Sequence, residues 1–186
     1  MKVVVISGKA QSGKDTTAEF MNAALNSKGY RVIITHYADL LKYICSSFLG
    51  WDGNKDEYGR SLLQRVGTEM RNGDENYWVN FIIKILYAFE NMWDYVIIPD
   101  TRYPNEIDSL IDFGFEVIHI RIERPGFDNG LSESQKLHIS ETALDGRSAN
   151  ITVVNDGSLT DLYHKARDVV DLLENTIFKH MQNSRQ

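Results

Sequence analysis

The chain of 186 residues is predicted to fold as one α/β domain, a five-stranded parallel sheet flanked by helices. Two observations carry this. Short β-branched runs recur, apolar throughout rather than alternating, as strands buried on both faces require. Helical patterns separate these runs, so each strand can return to the sheet through a crossover. No internal repeat, low-complexity linker or domain break interrupts the pattern.

The first strand is KVVVIS, Lys2–Ser7, and it stops at Gly8. Lys14–Lys28 reads as a helix, with Phe20, Met21, Ala24 and Leu25 on one face and Gly29 as its stop. RVIITH, 31–36, is a second strand. Helical patterns follow around 39–49, 60–71 and 77–92, the first two joined by the polar loop WDGNKDEYG. YVIIP, 95–99, is a third buried strand, and 104–113 a short helix with Pro104 at its start. EVIHIR, 116–121, and ITVV, 151–154, complete the sheet, and 159–179 forms a closing amphipathic helix.

Composition narrows the function classes. A net charge of −6 argues against general affinity for polymeric nucleic acid or anionic membrane, so an anionic ligand must be held by local Arg and Lys. The single cysteine, Cys45, cannot form an intrachain disulfide and reads as a small core residue in a helix. The histidines show no zinc-like spacing. The first apolar run is too short for a signal peptide, and FIIKILYAF, broken by Lys84, is too short to span a bilayer. A cytoplasmic location is the default expectation.

In parallel sheets, ligands bind beyond the carboxyl ends of the strands. GKAQSGKD, from Gly8 to Asp15, directly follows the first strand and opens a helix. Gly8, Gly13 and Lys14 match the phosphate-loop pattern, with Lys9, Ala10, Gln11 and Ser12 between the glycines. The glycines let the backbone curl so that N–H groups point at a phosphate, and the helix terminus adds partial positive charge. Lys14 can then reach the β- and γ-phosphates of ATP. Asp15 stands where the pattern has Ser or Thr, so the magnesium contact falls to Asp15 through water or to Thr16. A guanine-binding N-K-x-D is absent; Asn54-Lys55-Asp56-Glu57 is a near miss that reads as a solvated loop. A small chain with helices inserted between the second and third strands suits a P-loop kinase for a small molecule. The insertion, about residues 37–93, would bind the acceptor, and a lid would span about 122–148.

The other candidates also sit just after strands. Asp100 and Arg102 follow YVIIP; the carboxylate can hold magnesium or orient an acceptor phosphate, and the arginine can grip that phosphate bidentately. Asp39 and Lys42 follow the second strand, Asp39 as a helix cap or a site residue, Lys42 facing an acceptor phosphate or solvent. In LLQRVGTEMRNGDENYW, Arg65 or Arg71 could hold a phosphate, Thr68 and Glu69 a base or sugar, and Trp78 could stack; an ordinary amphipathic helix fits as well. The lid segment begins with Arg121 and Arg124 and runs past a glycine hinge to His138, Ser140 and Glu141. Its arginines would close over the transferring phosphoryl group. Asn155 and Gly157 follow the fifth strand, where a backbone turn could meet adenine.

Taken together, GKAQSGKDT, ADLLK, QRVGTEMR with the later Trp78, DTRYPNE, HISETALD and NDGSL resemble the deoxynucleoside monophosphate kinases of bacteriophages and related bacterial sequences, over about residues 3–162. Asp after the loop lysine is tolerated in that family. The resemblance implies ATP- and Mg²⁺-dependent phosphorylation of deoxynucleoside 5′-monophosphates to diphosphates. Small-molecule nucleotides would then be its partners, with a homodimer left open. Animal-type phosphomevalonate kinases share the glycine loop, D-T-R after a strand and S-E-x-x-L-D, and are the alternative among enzymes. A nucleotide-binding regulatory module without turnover is the alternative of another class. The G-T-E-x-R segment and its tryptophan favour the nucleotide kinase.

Overall fold

A computed structural model describes residues 1–54 and 56–183. Five strands form one parallel sheet in the order β2-β3-β1-β4-β5. They are β1 (Lys2–Ser7), β2 (Val32–Ile34), β3 (Tyr95–Ile98), β4 (Glu116–Glu123) and β5 (Ile151–Val154). The helices are α1 (Lys14–Ser27), α2 (Ala38–Leu49), α3 (Glu57–Gly73), α4 (Tyr77–Ala88), α5 (Asn105–Phe113), α6 (Glu133–Lys136), α7 (Ile139–Thr142) and α8 (Leu159–Asn183).

The unbroken apolar runs have their reason in the packing. Side chains alternate across a strand. Val4 and Ile6 of β1 therefore meet α1 and α8 on one face, while Val3 and Val5 meet α4 and α5 on the other. A third cluster, Cys45, Trp51 and Leu62, ties α2 to α3. Cys45 is the core residue its helical pattern suggested.

Several boundaries differ from the sequence expectation. β2 is shorter because it is an edge strand against the short β3; Arg31, ahead of it, is spent on Asp94 at 2.8 Å. α3 starts at Glu57 because the Asp56 carboxylate accepts the Gly59 N–H at 2.7 Å and caps it. Lys55, part of the Asn54–Glu57 loop reading, lies outside the described residues. β4 runs on to Glu123 because Ile122 and Glu123 pair with Val153 and Val154. Arg121 is thus a sheet residue beside Ser7, and the segment joining β4 to β5 starts at Arg124.

With β3 and β4 on either side of β1, the loops after these three strands converge at one edge, the crevice expected of an open parallel sheet. Among the described residues no helix is long and apolar enough to cross a membrane.

Candidate active site

The turn after β1 is shaped by left-handed backbone. Gly8 has φ 146°, Gln11 58° and Gly13 104°. A Cβ on Gly8 would sit 2.3 Å from the Ile122 carbonyl oxygen, and one on Gly13 2.7 Å from Asn155 Nδ2. Only glycine permits both the conformation and the approach. The Asn155 amide donates to the Ser12 carbonyl at 2.8 Å, so this residue braces the loop from beneath with its side chain. Lys14 Nζ donates to the Gly8 and Lys9 carbonyls at 2.9 and 2.8 Å. Burial, with the Arg102 charge second, lowers its pKa to about 8. Ser12 Oγ is buried with no hydrogen-bond partner among the described residues. An inward-curled loop, a buried lysine and an orphaned hydroxyl are what an anion would complete.

A cavity of about 320 Å³ beside this loop brings Gln11, Gly13–Thr16, Arg124, Asn155 and Gly157 together. Asp15 is largely exposed, and its Oδ1 lies 3.3 Å from His36 Nε2; that contact raises the histidine's pKa. Asp39 accepts the His36 N–H at 2.9 Å and the Lys42 ammonium at 3.3 Å, so it closes the turn into α2. Asp100 spends one oxygen on the Tyr37 N–H and the other on the Ala38 N–H, both at 3.0 Å, which anchors the start of α2. Burial raises its pKa. No group of three His, Cys, Asp or Glu among the described residues is arranged to hold a metal ion.

A second cavity, of about 290 Å³, opens between α2, α3, the loop after β3 and the segment after β4. Arg60, Leu63, Gln64, Gly67, Thr68 and Arg71 line it from α3, spaced by three and four residues as one helix face must be. Trp78 forms its floor, 2% exposed, with Nε1 directed at the Gly67 carbonyl at 3.3 Å. Arg65 and Glu69 do not join this face. They are exposed and line none of the cavities described here, because each is one residue, about 100° of helix, beyond a lining position. Among the lining residues that escaped the sequence reading are Gln64, Tyr103 and Glu106. Counting threes and fours back from Arg71 would have found Gln64. Glu106 is buried, and its carboxylate receives Arg71 Nη2 at 2.8 Å and the Arg102 N–H at 2.7 Å. Burial lifts its pKa to about 7. Its signal was a glutamate closing DTRYPNE.

An open cleft of about 970 Å³ passes under the segment after β4 and reaches the phosphate loop. Here Glu141 bridges the parts: one carboxylate oxygen accepts the Ala10 N–H at 2.9 Å and the other pairs with Arg102. Lys9 holds the same segment through the Glu141 carbonyl and Asp145, both at 2.6 Å. Ser140 offers its carbonyl to Arg102 at 3.0 Å, and His138 Nδ1 caps α7, 2.8 Å from Ser140 Oγ. Arg124 donates to the Gln11 carbonyl at 3.2 Å and lies over the Phe127 ring at 3.7 Å. Arg121 departs from expectation. It starts no lid; from β4 its guanidinium donates to the Leu144 and Arg147 carbonyls and pins the far end of that segment.

A family model described as deoxynucleotide monophosphate kinase matches residues 51–166. The chain belongs to the deoxynucleotide monophosphate kinase family. The match takes in α3, Trp78, the loop after β3 and the segment from β4 to Gly157, but not the phosphate loop. The glycine turn is therefore separate testimony. The deoxynucleotide monophosphate kinase of Enterobacteria phage T4 is 37% identical over 117 residues, covering 61% of this chain and 46% of that protein. That of Escherichia phage RB69 is 32% identical over 114 residues, covering 60% and 44%. The matched part thus spans under half the length of these curated relatives. Solved structures share the fold. They include an unliganded sugar kinase from Janibacter (TM-score 0.53, 15% identity, covering 92% of this chain and 95% of that one). Another is the Mycobacterium tuberculosis APS kinase with AMPPNP and APS (TM-score 0.51, 16% identity, covering 93% and 97%).

Proposed function

We propose that the chain transfers the γ-phosphoryl group of ATP to the 5′-phosphate of a deoxynucleoside monophosphate, giving the diphosphate and ADP. One observation carries the reading beyond family membership. The phosphate loop lines both cavities, the one beside α1 through Gln11, Gly13 and Lys14 and the one over α3 through Ala10, where Arg102 joins it; Arg102 is near enough to Lys14 for its charge to lower the lysine's pKa. A donor in the first and an acceptor in the second would meet phosphate to phosphate.

The residues fit that chemistry. Phosphoryl transfer spreads negative charge over the moving group's oxygens, so placed cations and N–H groups matter more than a base. The acceptor phosphate is already an anion. Lys14 and the loop N–H groups would hold the donor phosphates, with Arg124 above them. Arg102 would hold the acceptor phosphate after exchanging the Glu141 carboxylate for phosphate oxygens. Asp15 and Thr16, at the mouth of α1, would meet a magnesium ion, which when bound screens the β- and γ-phosphate charges. Asp100 would act at one remove, by fixing α2. The substrates would be the soluble nucleotides of the cytoplasm.

A coupled assay for ADP release, run with dAMP, dCMP, dGMP, dTMP and phosphomevalonate, tests the reading. ADP release with at least one deoxynucleotide, and the diphosphate as product, is expected. Turnover with phosphomevalonate alone, or ATP binding without turnover of any acceptor, overturns it.

A further inference from the structure

We infer that Glu106 is the positioning residue of a two-arginine clamp, Arg71 with Arg102, on the acceptor phosphate. The inference rests on the kinase reading above.

Glu106 lies in the first turn of α5 and is 2% exposed. Keeping a carboxylate out of water is costly unless its oxygens are satisfied. Here one oxygen accepts Arg71 Nη2 at 2.8 Å. The other accepts the backbone N–H groups of Arg102 at 2.7 Å and Tyr103 at 3.1 Å. Its own carbonyl takes the Tyr37 hydroxyl at 2.6 Å. One side chain thereby fixes both a guanidinium from α3 and the stretch of backbone that carries Arg102.

Capping α5 accounts for one oxygen, since a glutamate in the first turn reaches back to the N–H groups ahead of its helix. It does not account for the other. Arg71 comes from another helix, 35 residues earlier in the chain. Its guanidinium also lies over the Tyr103 ring, 4.1 Å from the centroid. It is therefore held at one edge by Glu106 and across its face by Tyr103, and it lines the cavity over α3 together with Arg102. A guanidinium is a planar fork with five N–H donors, so one edge can be anchored while another meets phosphate. Glu106 thus sets the Arg71 guanidinium directly and the Arg102 side chain through its backbone, while the Arg102 guanidinium itself pairs with Glu141.

Gln in place of Glu106 must turn its NH₂ toward Arg71 or toward the backbone N–H groups, setting donor against donor. The test is calorimetric binding of dAMP, dCMP, dGMP, dTMP and ATP to wild type, Glu106→Gln, Arg71→Lys and the double variant, with KM and kcat beside it. For the tightest monophosphate, each single variant should raise Kd about tenfold, the loss of one charge-assisted bond. Kd for ATP should stay within about twofold, and the double variant should be no worse than the poorer single one, as two parts of one unit behave. Arg71→Lys keeps the charge, loses the fork and leaves the core alone, so it decides the matter if Glu106→Gln does not fold. An unchanged monophosphate Kd in Arg71→Lys, or equal losses for ATP and monophosphate in Glu106→Gln, overturns the clamp. Wild type that binds a monophosphate without phosphorylating it sinks the kinase reading and leaves the clamp standing. Wild type that binds none sinks both.

Discussion

Glu141 sits on the phosphate loop: its carboxylate accepts the backbone N–H of Ala10 at 2.9 Å. The other carboxylate oxygen pairs with Arg102, and the side chain is 8% exposed. A carboxylate in this place makes the contacts that phosphate oxygens would make. On the proposed function, substrate would displace it.

That relationship gives a first expectation. Glu141→Gln removes a competing charge but keeps the shape of the side chain. Its affinity for ATP should rise several-fold, because freeing one charge-assisted bond is worth about 1.5–3 kcal/mol before the amide recovers part of it. Calorimetry measures this directly. A weaker Kd would mean that Glu141 belongs to the bound state and holds Arg102 in place.

A second expectation concerns pH. Burial lowers the Lys14 pKa to about 8 from its ordinary 10.5. A triphosphate beside it favours the charged form and pushes the pKa back up. Binding should thus take up a proton above pH 8. Kd for ATP should be flat below that pH and weaken above it by up to about tenfold per unit. Between about 8 and 10.5 the unfolded chain holds more protons than the folded one, so this residue's share of the stability rises with pH. Lys14→Ala should lose the pH slope and lower kcat on the order of 100-fold. A slope that survives the substitution assigns the proton to another group.

How far the sequence reached depends on the range of the cause. The phosphate loop was legible because Gly8 and Gly13 answer a local demand, positive φ beside a close backbone. Strand burial was legible from unbroken β-branched runs. Glu106 was not, since its partner Arg71 is brought to it only when α3 packs near α5. Asn155 was read only as part of a backbone turn toward adenine; that its amide serves the Ser12 carbonyl was not legible, because the contact crosses 143 residues that local pattern cannot hold. Arg121 was read both as the last residue of the fourth strand and as the start of the lid; β4 runs past it, and its guanidinium goes to the Leu144 and Arg147 carbonyls, which only the folded chain brings near.

The two arginines after β4 should now separate by mechanism. Arg121 holds two carbonyls at the far end of the segment, Leu144 and Arg147. Its loss takes a donor from both, leaving the Leu144 carbonyl only the Arg147 N–H at 3.0 Å, so Arg121→Ala should lower Tm by several degrees, on the scale of about 1–2 kcal/mol. Arg124 is exposed beside the phosphate loop. Arg124→Ala should leave Tm within about a degree or two while lowering kcat more than it raises KM for ATP. Calorimetric unfolding and steady-state kinetics on both variants check this. A kcat loss confined to Arg121→Ala reverses the assignment.

The last expectation turns on one helix face. Gln64 and Thr68 line the cavity over α3 in register with Arg60 and Arg71, while Arg65 and Glu69 lie one residue further round and exposed. On the proposed function, Arg71, beside Arg102 and Glu106, marks the phosphate end of the cavity. Gln64, two turns earlier, is about 10 Å further along the helix axis, the reach of a nucleoside from its own phosphate. An amide there can both donate to and accept from a base edge. Gln64→Ala should therefore raise KM for the preferred deoxynucleotide several-fold and change the ranking among the four bases, with KM for ATP unmoved. Arg65→Ala and Glu69→Ala should leave both KM values within about twofold, as surface substitutions away from a site do. If Arg65→Ala matches or exceeds Gln64→Ala, α3 turns its other face to the acceptor when substrate is bound. The one-residue offset would then not carry over to the complex.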